Sequence, residues 1–481
     1  MPMTLNARTL LPLRKAFVVG MLFVLLSLSP PAEAQDRGQT RLFADATAIA
    51  QTLGQNRLRM LGIIAFDMAR AGDVAPALDL ARAEQGDAGR AALLTSISLA
   101  MIRHGDGDAG LSVLEQAIAA AGGLPQGPRR NQALAGIVRA LGAAGQTGRA
   151  FGTAMTIPDP DRRTAAIRTI APMLTDPDLL ERALTEAGVE GPAPSRSQRY
   201  LLAALTEPLA ATGQEDRAFG IAAGLDDEFD AASAFWTLGS ALAEAGLPDA
   251  ALRAARAVEG ADLDYSARIG VGVALLNADA PGAAAEIFAE AVEILNQVDR
   301  LEPLSIRRAL MPAIADMPRL GAATAAPLLA DLLMIVRRLP AGSQQVEMLA
   351  AIALALEEIG QEAEAAAVLQ NATDVAERET LAGYRAQSLA RIAQLYAEAG
   401  HANRAVPIAF RAMQLAFPAP DSAAKGRALV SAARAFQLAN DPTNAGQLMS
   451  MALDLAARLE DPNSRFSVLR YGVDELALGG F

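Results

Sequence analysis

The sequence has no cysteine. That excludes disulfides, thiolate metal centres, cysteine nucleophiles and an N-terminal lipid anchor, which needs a cysteine at the cleavage point. Lysine is nearly absent: Lys15 and Lys425 are the only two. No G-x-x-x-x-G-K-[ST] phosphate loop can be built from them, and there is no H-E-x-x-H and no dinucleotide fingerprint after a strand. There are two histidines, His104 and His401, and one tryptophan, Trp236, in a chain only 4% aromatic. After residue 29 no apolar run is long enough to cross a bilayer, because charges interrupt the Ala-rich stretches every few residues. Positive charge is also short. The formal charge is −12; Arg8, Arg14 and Lys15 against Glu33 give the segment 1–34 a charge of +2 and leave −14 for the rest. An acidic surface repels phosphate backbones, so nucleic acid is not expected as a partner.

What is present begins with an export signal. Arg8, Arg14 and Lys15 precede an apolar run from Ala16 to Ser29, broken by Pro30-Pro31 and followed by Ala32-Glu33-Ala34. That order is a signal peptide over 1–34, cleaved after Ala34. It places the mature chain in the periplasm of a Gram-negative bacterium, with no membrane span after cleavage. Residues 35–40 are polar and are expected to fray.

The 481 residues exceed one ordinary core. From about residue 41 the chain repeats one pattern: an amphipathic segment, a Gly or Asn, a short polar turn, and a second amphipathic segment. The turn positions are Gly72, Gly105, Gly145, Gly213, Gly246, Asp279, Gly360, Gly400 and Asn440. Five residues after each stands alanine in every case but Gly110. Four residues before each stands a large apolar side chain, from Met68 to Phe436. Small residues recur seven before (Ala65, Gly239, Gly272, Ala353, Ala393, Ala433), and alanine recurs twelve after (Ala117, Ala291, Ala372, Ala412, Ala452). Small residues let two helix axes approach, and the large one fills the space beside them.

This pattern resembles the tetratricopeptide (TPR) repeat family over most of the mature chain. The resemblance implies an all-α solenoid of about eleven antiparallel helix pairs, with extra pairs at 164–187 and 303–338 and a closing helix near 464–478. The steps from Gly72 to Gly105, from Gly213 to Gly246 and from Gly246 to Asp279 are close to the family's length. The last two steps, from Gly360 to Gly400 and from Gly400 to Asn440, are longer, so longer helices are expected there. The halves are read as 35–300 and 301–481.

The resemblance also implies that the first helices of successive pairs line a protein-binding groove. Groove positions include Tyr200, Glu207, Ser233, Trp236, Ser240, Glu244, Asn277, Gln387, Gln394, Arg427 and Arg434. Tyr200, Ser233, Trp236, Ser240, Glu244, Asn277 and Gln394 are the candidate contacts, with Trp236 as the aromatic anchor.

Constellations that carry chemistry are weak. His104-x-Asp106-x-Asp108 has calcium-loop spacing, but His replaces the first carboxylate and Ala109 the turn glycine. Ser422-Ala-Ala-Lys425 matches the S-x-x-K of penicillin-binding proteins, without a K-T-G. Glu357, Glu358, Glu362 and Glu364 read as a solvated face. The expectation is a non-enzymatic adaptor or scaffold for envelope proteins, with no cofactor and no metal. The other readings are an accessory platform or divergent envelope hydrolase, and a self-assembling structural solenoid.

Overall fold

The computed structural model describes residues 32–189, 194–258 and 261–478. The expected signal peptide lies outside them, except that the backbone of 32–34 opens the first helix. Among the described residues there are helices and turns and no strand.

Helix α1 spans Ala32–Ala50. Residues 35–40, expected to fray, are therefore helical. Eleven helix pairs follow: α2 (Arg57–Arg70) with α3 (Val74–Ala83), α4 (Asp87–Arg103) with α5 (Gly107–Gly122), α6 (Pro128–Ala143) with α7 (Thr147–Met155), and α8 (Pro160–Arg168) with α9 (Pro177–Glu186). Next come α10 (Arg196–Ala211) with α11 (Glu215–Ala223), α12 (Glu228–Glu244) with α13 (Pro248–Arg256), α14 (Ala261–Asn277) with α15 (Pro281–Gln297), and α16 (Pro303–Asp316) with α17 (Ala322–Arg337). The last are α18 (Ser343–Glu358) with α19 (Glu362–Glu377), α20 (Ala382–Glu398) with α21 (Ala402–Ala416), and α22 (Ala423–Leu438) with α23 (Pro442–Arg458), before α24 (Pro462–Leu476).

In nine of the eleven pairs the turn is one device. Every turn position named from the sequence has φ between 59° and 97°. Glycine reaches that region without a Cβ penalty, and Asp279 and Asn440 are residue types that tolerate it. The N–H of the following residue then donates to the carbonyl four residues before the turn: Asp73 to Met68, Gln146 to Leu141, His401 to Tyr396 and Asp441 to Phe436, at 2.8–2.9 Å. This is the 6→1 bond of a Schellman cap. The large residue thus acts twice. Its carbonyl closes the cap and its side chain is buried, from 0% exposed at Leu209, Leu242, Leu275 and Tyr396 to 6% at Met68 and Met101.

The alanines five residues after the turn are fully buried in all eight pairs that have one. At the exception, Gly110, a Cβ would lie 2.8 Å from Ile102 Cγ1 and 3.1 Å from the Ser98 carbonyl. Ser98 Oγ donates to the Gly110 carbonyl at 2.7 Å. Gly272 is tighter still, since a Cβ there would meet the Phe288 ring at 2.5 Å. Small residues at these positions are what let the paired axes approach.

Longer helices were expected in the longer C-terminal repeats. In fact the first helix of a pair is almost always 14–17 residues, and only the second changes. It has 9 residues in α7, α11 and α13 but 15–17 in α15, α17, α19, α21 and α23. The long form already occurs early, in α5 with 16 residues. Repeat length is therefore a property of the second helix, which is long once early, in α5, and then from α15 onward.

The chain divides into two compact units, one of residues 57–379 and one of 1–56 with 380–481. The halves read from the sequence follow repeat length; the units follow packing. In the discontinuous unit α1 packs against α23 and α24. Leu42, Phe43, Ala46, Ala50 and Leu53 are buried there. Gln39 Nε2 donates to the Leu476 carbonyl at 2.9 Å, capping the end of α24. Arg465 Nη1 donates to Thr52 Oγ1 at 2.9 Å. Helix α24 packs as a first helix, and α1 fills the second-helix position beside it.

Candidate functional site

The seven candidate contacts fall in both units. Tyr200, Ser233, Trp236, Ser240, Glu244 and Asn277 belong to 57–379, and Gln394 to the other.

On α12 the spacing of Ser233, Trp236 and Ser240 puts them on one helical face. The serines are half-buried and Glu244 is exposed. Trp236 is 46% exposed, and Phe229, two turns earlier on the same helix, is 57% exposed. The indole is not loose. It lies against the backbone of Gly270 on α14, so close that a Cβ there would be 2.1 Å from Nε1. A first helix thus presents two aromatic side chains, one seated on its neighbour's backbone.

The flanking candidates are more occupied. The guanidinium groups of Arg168 and Arg196 lie 5.5 and 5.4 Å from the centroid of the Tyr200 ring. Arg196 Nε donates to its hydroxyl at 2.8 Å. Asn277 is exposed, and its Oδ1 accepts from Arg319 Nη1 at 2.8 Å. Burial raises the Glu207 carboxyl above its ordinary value, and the charge of Glu244 adds to that.

Gln394 is the correction. It is 1% exposed and is no groove contact. Its Nε2 donates to Glu475 Oε1 at 2.7 Å and to Glu398 Oε1 at 2.8 Å. Its Oε1 accepts from the Tyr471 hydroxyl at 2.9 Å. Helix α24 covers it and satisfies both ends of its amide, as a buried amide requires.

The same face of this unit carries a ladder through Gln387 and Arg427, groove positions that were not among the candidate contacts. Arg427 Nη1 donates to Ser467 Oγ at 2.9 Å and Nη2 to Gln387 Oε1 at 3.1 Å. These partners stand 40 residues to either side, at the same register of three successive first helices. Ser431 Oγ and Tyr471 Oη are 2.9 Å apart with the same spacing. An open pocket of about 380 Å³ lies here, lined by Arg427, Phe466, Ser467, Arg470, Tyr471 and Asp474. The signal that could have found it was in the sequence: three evenly spaced first helices with the polar or basic residues Gln387, Arg427 and Ser467 in register.

The chemical motifs are occupied by capping. Ser422 Oγ accepts from the Lys425 N–H at 3.3 Å, at the start of α22. Lys425 Nζ donates to the Ala419 carbonyl at 2.8 Å and to Asp421 Oδ1 at 3.1 Å. The His104 and Asp106 backbone N–H groups close the end of α4. Among the described residues no three His, Asp or Glu side chains are grouped to hold a metal ion. No helix among them is long and apolar enough to cross a membrane.

No family model and no curated protein matches the chain. Among solved structures it is similar to Ton1535 from Thermococcus onnurineus NA1, at 18% identity over 70% of this chain and 97% of that one, with a TM-score of 0.26. It is similar to a structure of Naa15/Naa10 bound to HypK-THB, at 15% identity over 88% and 70%, TM-score 0.29. A third is the APC/C hetero-tetramer Cut9-Hcn1, at 12% identity over 92% and 94%, TM-score 0.22.

Proposed function

We propose that the chain is a TPR-like adaptor of the periplasm, exported behind a signal peptide at 1–34, which binds a protein partner through the first-helix face and performs no catalysis. The observation that carries this reading is Trp236. The large apolar residues of the repeat pattern are buried, whereas this one stands 46% exposed on a first helix with Phe229 beside it. Soluble proteins keep such aromatics exposed singly, and a pair on one helical face fits an interface anchor. The site-specific test places a photo-crosslinking amino acid at 236 in the exported chain. A discrete adduct in cell envelopes, lost when a second substitution, Phe229→Ala, is added, supports the reading. Trp236→Ala should retain the helical circular dichroism signal and lose the partner. A variant that unfolds, or cross-linking no different from that at an exposed site on a second helix, overturns it.

A further inference from the structure

The two units differ in charge. Between 380 and 481 there are ten basic and eight acidic side chains, and 35–56 is balanced. With +2 on the segment 1–34, the total of −12 leaves −16 on 57–379. The basic excess of the smaller unit is concentrated on α20, α22 and α24, which carry seven basic side chains (Arg385, Arg391, Lys425, Arg427, Arg434, Arg465, Arg470) against Glu398, Asp474 and Glu475. Arg385, Lys425 and Arg465 share one register, two residues from that of Gln387, Arg427 and Ser467; Lys425 is paired with Asp421 and Arg434 with Glu475, which leaves Arg427 and Arg470 as the cations of the pocket.

Two of these side chains define a site. The Arg427 guanidinium is held by Gln387 and Ser467, both neutral. It has no ion pair among the described residues, so it is fixed in place by neutral partners. Arg470 is exposed and has no hydrogen bond or ion pair among them. Both line the pocket, together with the rings of Phe466 and Tyr471. A preorganised guanidinium binds a carboxylate with little ordering cost, by charge-assisted bonds. The rings beside it offer apolar surface for a neighbouring side chain. The negative charge of Asp474, on the same wall, disfavours a bare inorganic anion. A unit excess of only +2 is far from the broad basic surface that anionic membranes select.

We propose that this pocket binds an acidic, partly apolar peptide segment, its carboxylate on Arg427 and Arg470. The site stands on different residues from the Trp236 face, and each can fail without the other.

The test uses the full mature chain and a fluorescein-labelled twelve-residue peptide of alternating Glu and Leu, read by fluorescence anisotropy. A Gln–Leu peptide of equal length is the control. The Glu–Leu peptide should bind, and the control should not. Arg427→Met should weaken binding about tenfold, as loss of a charge-assisted pair does. Arg470→Glu, on an exposed side chain that the fold does not use, should weaken it at least as much. Added salt should weaken it, and Trp236→Ala should leave it unchanged. Equal binding of the two peptides, no binding by the wild type, or variants that bind like wild type overturn the proposal. So does Arg470-dependent sedimentation with phosphatidylglycerol vesicles in place of peptide binding, which makes the face a lipid site.

Discussion

The indole of Trp236 rests on the backbone of Gly270, and no side chain larger than hydrogen fits at 270 without moving it. The absence of a Cβ on α14 therefore sets the position of a side chain on α12. Gly270→Ala should displace the indole while improving the intrinsic propensity of α14 by about 1 kcal/mol. Stability is thus expected to change little, because an exposed ring can swing away. Tryptophan emission, which reports one residue in this chain, should shift to longer wavelength as the ring gains water. An unchanged spectrum would mean that the ring does not depend on Gly270.

Asn440 occupies at φ 61° the position that glycine fills in most repeats. Asn440→Gly should be neutral or stabilising by up to about 1 kcal/mol, because it relieves a left-handed non-glycine residue. Asn440→Val should cost about 1–2 kcal/mol, since a β-branched side chain strains the same cap. Urea unfolding followed at α22 and α23 by hydrogen exchange separates these outcomes. Equal effects of the two substitutions would show that the turn angle does not limit stability.

Burial raises the Glu475 carboxyl above its usual value, opposed by the hydrogen bond from Gln394 and the positive charge of Arg434. Arg434 Nε lies 3.4 Å from Oε2. A carboxyl raised on folding adds stability that is full below its unfolded pKa of about 4.3 and lost as pH rises through the folded value. Glu475→Gln removes that titration. Lowering pH from 7 toward 5 should therefore shift the urea midpoint in favour of wild type relative to Glu475→Gln. The lowered carboxyls, such as Asp421 and Asp461, act in the opposite direction but are common to both proteins and cancel in the difference. A difference independent of pH would place the Glu475 proton outside the folding equilibrium.

The fold was legible wherever the signal was local. A left-handed turn with a large residue four before and an alanine, or once Gly110, five after is written within ten residues, and all nine such turns form as read. The extra pairs at 164–187 and 303–338 were inferred from spacing and are α8 with α9 and α16 with α17. Gln394 was misread because its register is that of a groove residue. What buries it is Glu475, 81 residues away on α24. Arg427 was placed in the groove, but that its charge would be held by neutral partners on both sides depends on a 40-residue register that only packing reveals. The Trp236 contact with Gly270 was hidden for the same reason, since a glycine carries no side-chain pattern to read.

Helix α1 has a consequence in time. It is made before residues 57–379, yet the surfaces that bury Phe43 and Leu42 belong to α23 and α24, made after them. Until residue 476 has been synthesised, α1 has no place to dock, and residues 57–379 can form their own unit meanwhile. Completion of the discontinuous unit therefore waits until α24 has been made. A truncated chain leaves an apolar N-terminal helix uncovered, the kind of surface that quality-control proteases recognise.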